Sequence, residues 1–145
     1  MQEKFRHLIE GFCKVCGLDN AGRILDGGSI IVNEVTFSLI YSENVNPELL
    51  FIYCDFGDPP VGREADAYRA LLEANLYLYS GTGPTFSISR ETRRVLFADQ
   101  LRLDKGTPEE LHAILLRMAD KAHAWRADYF LGKNSKGAAR ASPRR

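Results

Sequence analysis

The chain of 145 residues is short of the side chains that most often carry chemistry: three histidines, three cysteines and one tryptophan. Cys13, Cys16 and Cys54 do not suggest a disulfide framework. Cys13 and Cys16 have C-x-x-C spacing, but no second ligand pair exists to complete a metal site. A redox pair of this kind belongs at a helix N-terminus, where the dipole favours thiolate, whereas these two sit near a helix C-terminus. They read as small apolar helix residues. His112 and His123 lie on similar faces of one helix but about 16 Å apart along its axis, too far to share an ion. His7 stands alone, so no metal and no cofactor is expected.

The glycine motifs of nucleotide binding are missing too. Neither Gly27-Gly28-Ser29 nor Gly81-Thr82-Gly83-Pro84-Thr85 continues as a phosphate loop, and the second precedes a strand instead of a helix. No G-x-S-x-G occurs. Asp55 and Asp58 form a lone acidic pair at a strand end, where solvation is the ordinary fate. No spacing supports catalysis, and the expectation is a protein that is not an enzyme. No apolar run approaches the roughly 20 residues that span a bilayer. Residues 1–7 are mixed in charge and lead into no signal-type apolar block, so no membrane insertion and a cytoplasmic location are expected.

What is present is an ordinary globular composition, 45% hydrophobic, enough for a real core in one domain. The zero net charge hides an asymmetry. Lys133, Lys136, Arg140, Arg144 and Arg145 follow Gly132 with no acid among them. Removing these five from the 19 basic residues leaves 14 against 19 acids, so residues 1–131 are net −5. An acidic body argues against nucleic acid as a partner. Residues 132–145 hold no large apolar side chain and read as a disordered basic tail on a domain of residues 1–131.

Hydrophobic periodicity supplies the elements. Phe5, Leu8, Ile9, Phe12, Val15 and Cys16 recur at helical steps over residues 3–16, and Gly17 is a suitable stop. Residues 19–28 read as loop. Residues 29–33, 35–41 and 49–56 read as three strands of an antiparallel meander, with a hairpin turn at Asn33-Glu34. Residues 63–80 form a helix with two apolar stripes, Tyr68, Leu72, Leu76 and Tyr79 on one side, Ala67, Leu71, Ala74 and Leu78 beside Ala70 on the other. A helix apolar on two faces needs two covers. One is the sheet; the other is a second copy of the helix or the last helix of the same chain. Alanines permit close approach across a twofold axis, so Ala67, Ala70, Leu71, Ala74 and Leu78 are the expected dimer set. Residues 85–89 and 94–103 read as a hairpin, the second strand broken at residues 98–100. Thr107, Pro108 and Glu110 make a capping box with a proline at the first helical position. The helix they open has an apolar stripe from Leu111 to Tyr129, with Gly132 as a stop. The fold class is α+β, in the order α-β-β-β-α-β-β-α.

Leu71-Leu72-Glu73-Ala74-Asn75-Leu76-Tyr77-Leu78, the turn Gly81-Thr82-Gly83-Pro84 and the cap Thr107-Pro108-Glu109-Glu110-Leu111 carry a resemblance. Together they resemble the class I type III secretion chaperones, the CesT/Tir-chaperone family, over about residues 3–131. The resemblance implies a twisted antiparallel sheet flanked by helices, in a cytoplasmic bacterial homodimer without ATPase activity. It implies a partner too: the N-terminal segment of a secreted effector, held extended, kept secretion-competent and presented to the secretion apparatus. An exposed strand edge could accept such a segment. Phe5, Leu8 and Phe12 on the first helix, with Ile31, Phe37 and Leu39 on the meander, are the candidate effector contacts; each is also a candidate for the core. The alternative is a regulatory module of the same fold that binds a folded partner. Asn75 is nominated as a structural position.

Overall fold

A computed structural model describes residues 2–78, 81 and 83–132 of the chain. The readings that fall on Tyr79, Ser80, Thr82 and the basic tail beyond Gly132 lie outside these residues. The described elements are α1 (Gln2–Cys16), α2 (Ala21–Leu25), β1 (Ile30–Val32), β2 (Val35–Ile40), β3 (Leu49–Gly57), α3 (Glu64–Leu78), β4 (Thr85–Ile88), β5 (Val95–Arg102) and α4 (Pro108–Asp128).

The local rules written in the sequence operate at the helix ends. The Thr107 hydroxyl accepts a hydrogen bond from the Glu110 N–H at 3.1 Å, satisfying a donor that the first turn of α4 leaves free. At the end of α1, Gly17 takes φ +71°. The Leu18 N–H then closes back on the Cys13 carbonyl at 2.8 Å, a Schellman closure. The end of α4 departs from expectation. Tyr129, not Gly132, takes the left-handed conformation, and its N–H returns to the Trp125 carbonyl.

The five strands form one antiparallel sheet in the order β1-β2-β3-β5-β4. The meander and the hairpin are therefore joined edge to edge through β3 and β5, with Ile52 opposite Asp99 and Cys54 opposite Phe97. β5 runs through residues 98–100 without the expected break. Asn33 and Glu34, the two residues between β1 and β2, both have positive φ (51° and 65°). This is the signature of the turn that matches strand twist in a two-residue hairpin. A register shift lies between Asp55 and Gly57, and Gly57 has φ +120°, a conformation only glycine adopts freely. Arg126 satisfies the neighbouring carbonyls, donating to Phe56 O at 2.7 Å and Asp55 O at 2.9 Å. Asp55 and Asp58 are not simply solvated, as expected of a lone acidic pair. Arg94 bridges both, at 2.9 and 3.2 Å.

One side of the sheet is the core. Val35, Phe37 and Leu39, then Leu50, Ile52, Cys54 and Phe56, then Val95, Phe97 and Leu101 alternate inward and are buried, the period-two pattern of strands with one packed face. α4 packs against it through Leu111, Leu115, Met118, Ala122 and Trp125, all buried. The Trp125 ring lies 5.7 Å from Phe56 and 4.9 Å from Tyr129. Burying each such side chain contributes about 1.5–3 kcal/mol. α1 lies alongside α4, and Gly11 sets the approach. A Cβ there would stand 2.6 Å from the Pro108 ring, inside van der Waals contact.

The segment over residues 19–28, expected as loop, holds α2. Asn20 caps it, its side chain accepting from the Arg23 N–H at 3.1 Å. The observed order is thus α-α-β-β-β-α-β-β-α.

Candidate binding surfaces

Of the six candidate effector contacts, five are core. Phe5, Leu8 and Phe12 point from α1 into the interior, and Phe37 and Leu39 point there from β2; all five are buried. Their helical or alternate spacing marked them as apolar-face residues, and that face is turned inward. Ile31 is different. It sits on edge strand β1 and is 68% exposed.

The register shows which residues accompany Ile31 on the outer side of the sheet. Ile31 is opposite Thr36, Ser38 opposite Tyr53, and Tyr53 opposite Ala98; Ile40 is opposite Phe51, and Asp55 opposite Leu96. Tyr53 is exposed, while Ile40, Phe51 and Leu96 are half-buried. This outer side is a mixed apolar and polar strip of sheet. Sequence reasoning passed over Tyr53 and Phe51, although the strict alternation of β3 was the signal that would have separated them from Leu50, Ile52 and Cys54.

A second feature is a cleft of about 210 Å³ between α1 and α2, lined by Gln2, Phe5, Arg6, Gly22, Leu25 and Asp26. One edge of Phe5 forms its apolar wall, and the ring stacks on Tyr41 at 5.2 Å. Arg6 and Asp26 give the mouth both signs of charge. The cleft exists because α2 folds back on α1.

On α3 the stripe expected to face a second copy is the one turned inward. Ala67 and Leu71, named for a dimer contact, are buried within the chain, and Ala70, Ala74 and Leu78 are half-buried. α3 packs against its own β4. The other stripe faces outward: Leu72 is 69% exposed, Leu76 74% and the adjacent Tyr77 88%. Asn75 reaches β4. Its Oδ1 accepts from the Phe86 N–H at 2.7 Å and its Nδ2 donates to the Phe86 carbonyl at 3.1 Å.

Burial pushes the Cys54 thiol up to about 12, against a partial lowering by Arg126. Burial raises Cys13 and Cys16 as well, with the charge of Glu10 and the neighbouring Cys13 adding to it respectively; thiols held neutral are poor nucleophiles. Burial also raises the Asp99 carboxyl, offset in part by the Gln100 N–H and Arg117. His123 Nε2 lies 2.8 Å from the Asn33 carbonyl, so that nitrogen carries the proton it donates. His112 meets the ring of Phe12 edge-on. Among the described residues no group of three or more His, Cys, Asp or Glu side chains could hold a metal ion. Among them, too, no helix is long and apolar enough to cross a membrane.

The family model described as the Tir chaperone protein (CesT) family matches residues 7–126. No curated protein matches the chain. Solved structures of similar fold include the ExsC–ExsE complex, at 21% identity and TM-score 0.69, covering 89% of this chain and 96% of that one. The Yersinia pestis type III secretion chaperone SycH, in complex with a stable fragment of YscM2, aligns at 18% identity and TM-score 0.61, over 83% of this chain and 98% of that one. The ExoT–SpcS complex from Pseudomonas aeruginosa aligns at 16% identity and TM-score 0.60, over 86% and 98%. The α+β architecture expected from the sequence is the one these structures share.

Proposed function

Because the chain belongs to the Tir chaperone protein (CesT) family, we propose that it is a type III secretion chaperone: a non-catalytic, cytoplasmic homodimer that holds the N-terminal segment of a secreted effector in extended form and hands it to the secretion apparatus. The observation that carries this reading is the exposed Ile31 on edge strand β1, with Thr36 opposite it on β2 and Ile40, Tyr53 and Phe51 further in on the same outer face. Backbone groups at a sheet edge pair with any extended chain, and alternate side chains of that chain then lie beside Ile31. Complexes of similar fold, such as SycH with its YscM2 fragment, lend it support.

In this reading the binding set keeps Ile31 and gains Tyr53 and Phe51. Phe5 serves through the cleft wall, and Leu8, Phe12, Phe37 and Leu39 hold the surface from beneath. The homodimer forms through the outer stripe of α3, Tyr68, Leu72, Leu76 and Tyr77. Ala67 and Leu71 position that helix from behind, with Ala70, Ala74 and Leu78 at the margin.

The test is co-expression of the full chain with N-terminal fragments of proteins encoded beside it, followed by size exclusion with light scattering. Two copies of the chain with one protease-sensitive fragment is the expected result. A dimer that takes only folded partners would replace this reading with the regulatory module.

A further inference from the structure

The sheet has two margins, β1 and β4, and they are finished differently. In an antiparallel ladder, residues alternate between those bonded to the neighbouring strand and those whose N–H and C=O point away from it. Phe86, opposite Phe97, points away from β5, since both of its backbone groups are taken by Asn75 of α3. A primary amide offers the donor and acceptor that a neighbouring strand would offer. Asn75 thus stands where the next strand would pair.

The β1 margin has no such cover. In a two-residue hairpin the pair flanking the turn, here Val32 and Val35, is the bonded one. Ile31, next along and opposite Thr36, therefore turns its N–H and C=O outward. Among the described residues no turn, loop or side-chain hydrogen bond reaches them.

We propose that Asn75 closes the β4 edge against strand pairing, and that this leaves β1, at the backbone of Ile31, as the edge that receives an extended client segment. The client half rests on the chaperone reading; the closure of β4 does not. Closure has a use in any extended-peptide binder, because two open margins would let copies join edge to edge.

Closure is tested with the full chain alone. Asn75→Ala is expected to assemble beyond the wild-type size with rising concentration in sedimentation velocity. The Phe86 amide, protected from hydrogen exchange in the wild type, should exchange freely in dilute variant and regain protection on assembly. Adding Ile88→Lys, a charge on the same strand, should return the variant to wild-type size. If Asn75 only anchors α3, Asn75→Ala lowers the melting temperature with no new assembly, and the proposal fails. Asn75→Ser, a smaller loss, replaces Asn75→Ala should the latter not fold, with the same expected assembly. For β1 the probe is the fragment captured by co-expression. Ile31→Pro, which deletes the outward N–H and is tolerated on an edge strand, should weaken its binding about tenfold, while Ile31→Val should not. Equal binding by Ile31→Pro overturns the β1 assignment. Failure of the wild type to capture any fragment removes the chaperone reading and the β1 assignment with it, while sedimentation still decides whether Asn75 closes β4.

Discussion

Truncating Leu72 and Leu76 to alanine should take the homodimer apart and leave the fold intact. In the single chain these side chains are 69% and 74% exposed, so burial against a partner is still available to them. A leucine-to-alanine change removes about three methylene equivalents, each worth about 0.8 kcal/mol when buried. With roughly 70% of that burial made only in the dimer, each site contributes about 1.7 kcal/mol. A twofold axis repeats both sites, so the double variant removes up to about 7 kcal/mol, or about five orders of magnitude in the dissociation constant. The figure is an upper bound, since association also carries entropic costs that the variant leaves unchanged. Leu71→Ala is the contrasting control. Leu71 is already covered within the chain, so its truncation should cost about 2–5 kcal/mol of folding stability and leave association unaltered. Sedimentation equilibrium reads the first quantity and urea unfolding of the monomeric species the second. A double variant as dimeric as the wild type refutes the outer-stripe assignment. So does a Leu71→Ala protein that is monomeric at full stability.

Three further outcomes follow from the geometry. Glu34→Gly should raise stability by about 1 kcal/mol, because glycine removes the left-handed penalty at φ 65°, and a urea midpoint that falls would count against the turn assignment. Thr107→Ala should lower stability by about 1 kcal/mol through loss of the α4 cap, whereas Thr107→Ser, which keeps the oxygen, should not; thermal melts of the two variants decide. The Cys54 thiol is raised from 9.0 to about 12 by burial, so the neutral form is favoured in the folded state. Its contribution is fully present below pH 9 and is lost as pH rises from 9 towards 12, because the unfolded chain releases that proton first. Urea midpoints measured across this window should fall less steeply in Cys54→Ala than in the wild type.

Local features were readable from the sequence because they depend on near neighbours. The cap at Thr107, the stop at Gly17 and the Asn33-Glu34 turn are each settled within a few residues. α2 escaped because five residues have no periodicity to read, and the helix is held by one side chain, Asn20, and by contact with α1. The joining of β3 to β5 is non-local; nothing in either strand names the other. The candidate site was legible only as a set of apolar faces. Spacing identified the stripe of Phe5, Leu8 and Phe12 and the two stripes of α3, but spacing cannot say which stripe its own sheet will cover. The structure turns Ala67 and Leu71 inward and packs α3 on β4 of the same chain.

The enclosure of Trp125 between Phe56 and Tyr129 gives the protein a single optical reporter. The chain has no other tryptophan, and this one is fully shielded from solvent. Its emission should be blue in the native state and shift to the red only when α4 leaves the sheet. Its ring partners, Phe56 and Tyr129, lie on neither β1 nor α3, so a segment docked at β1 or a copy met through α3 should leave the emission unchanged. Fluorescence therefore separates unfolding from association in one cuvette, which makes every variant above assayable for integrity without a label.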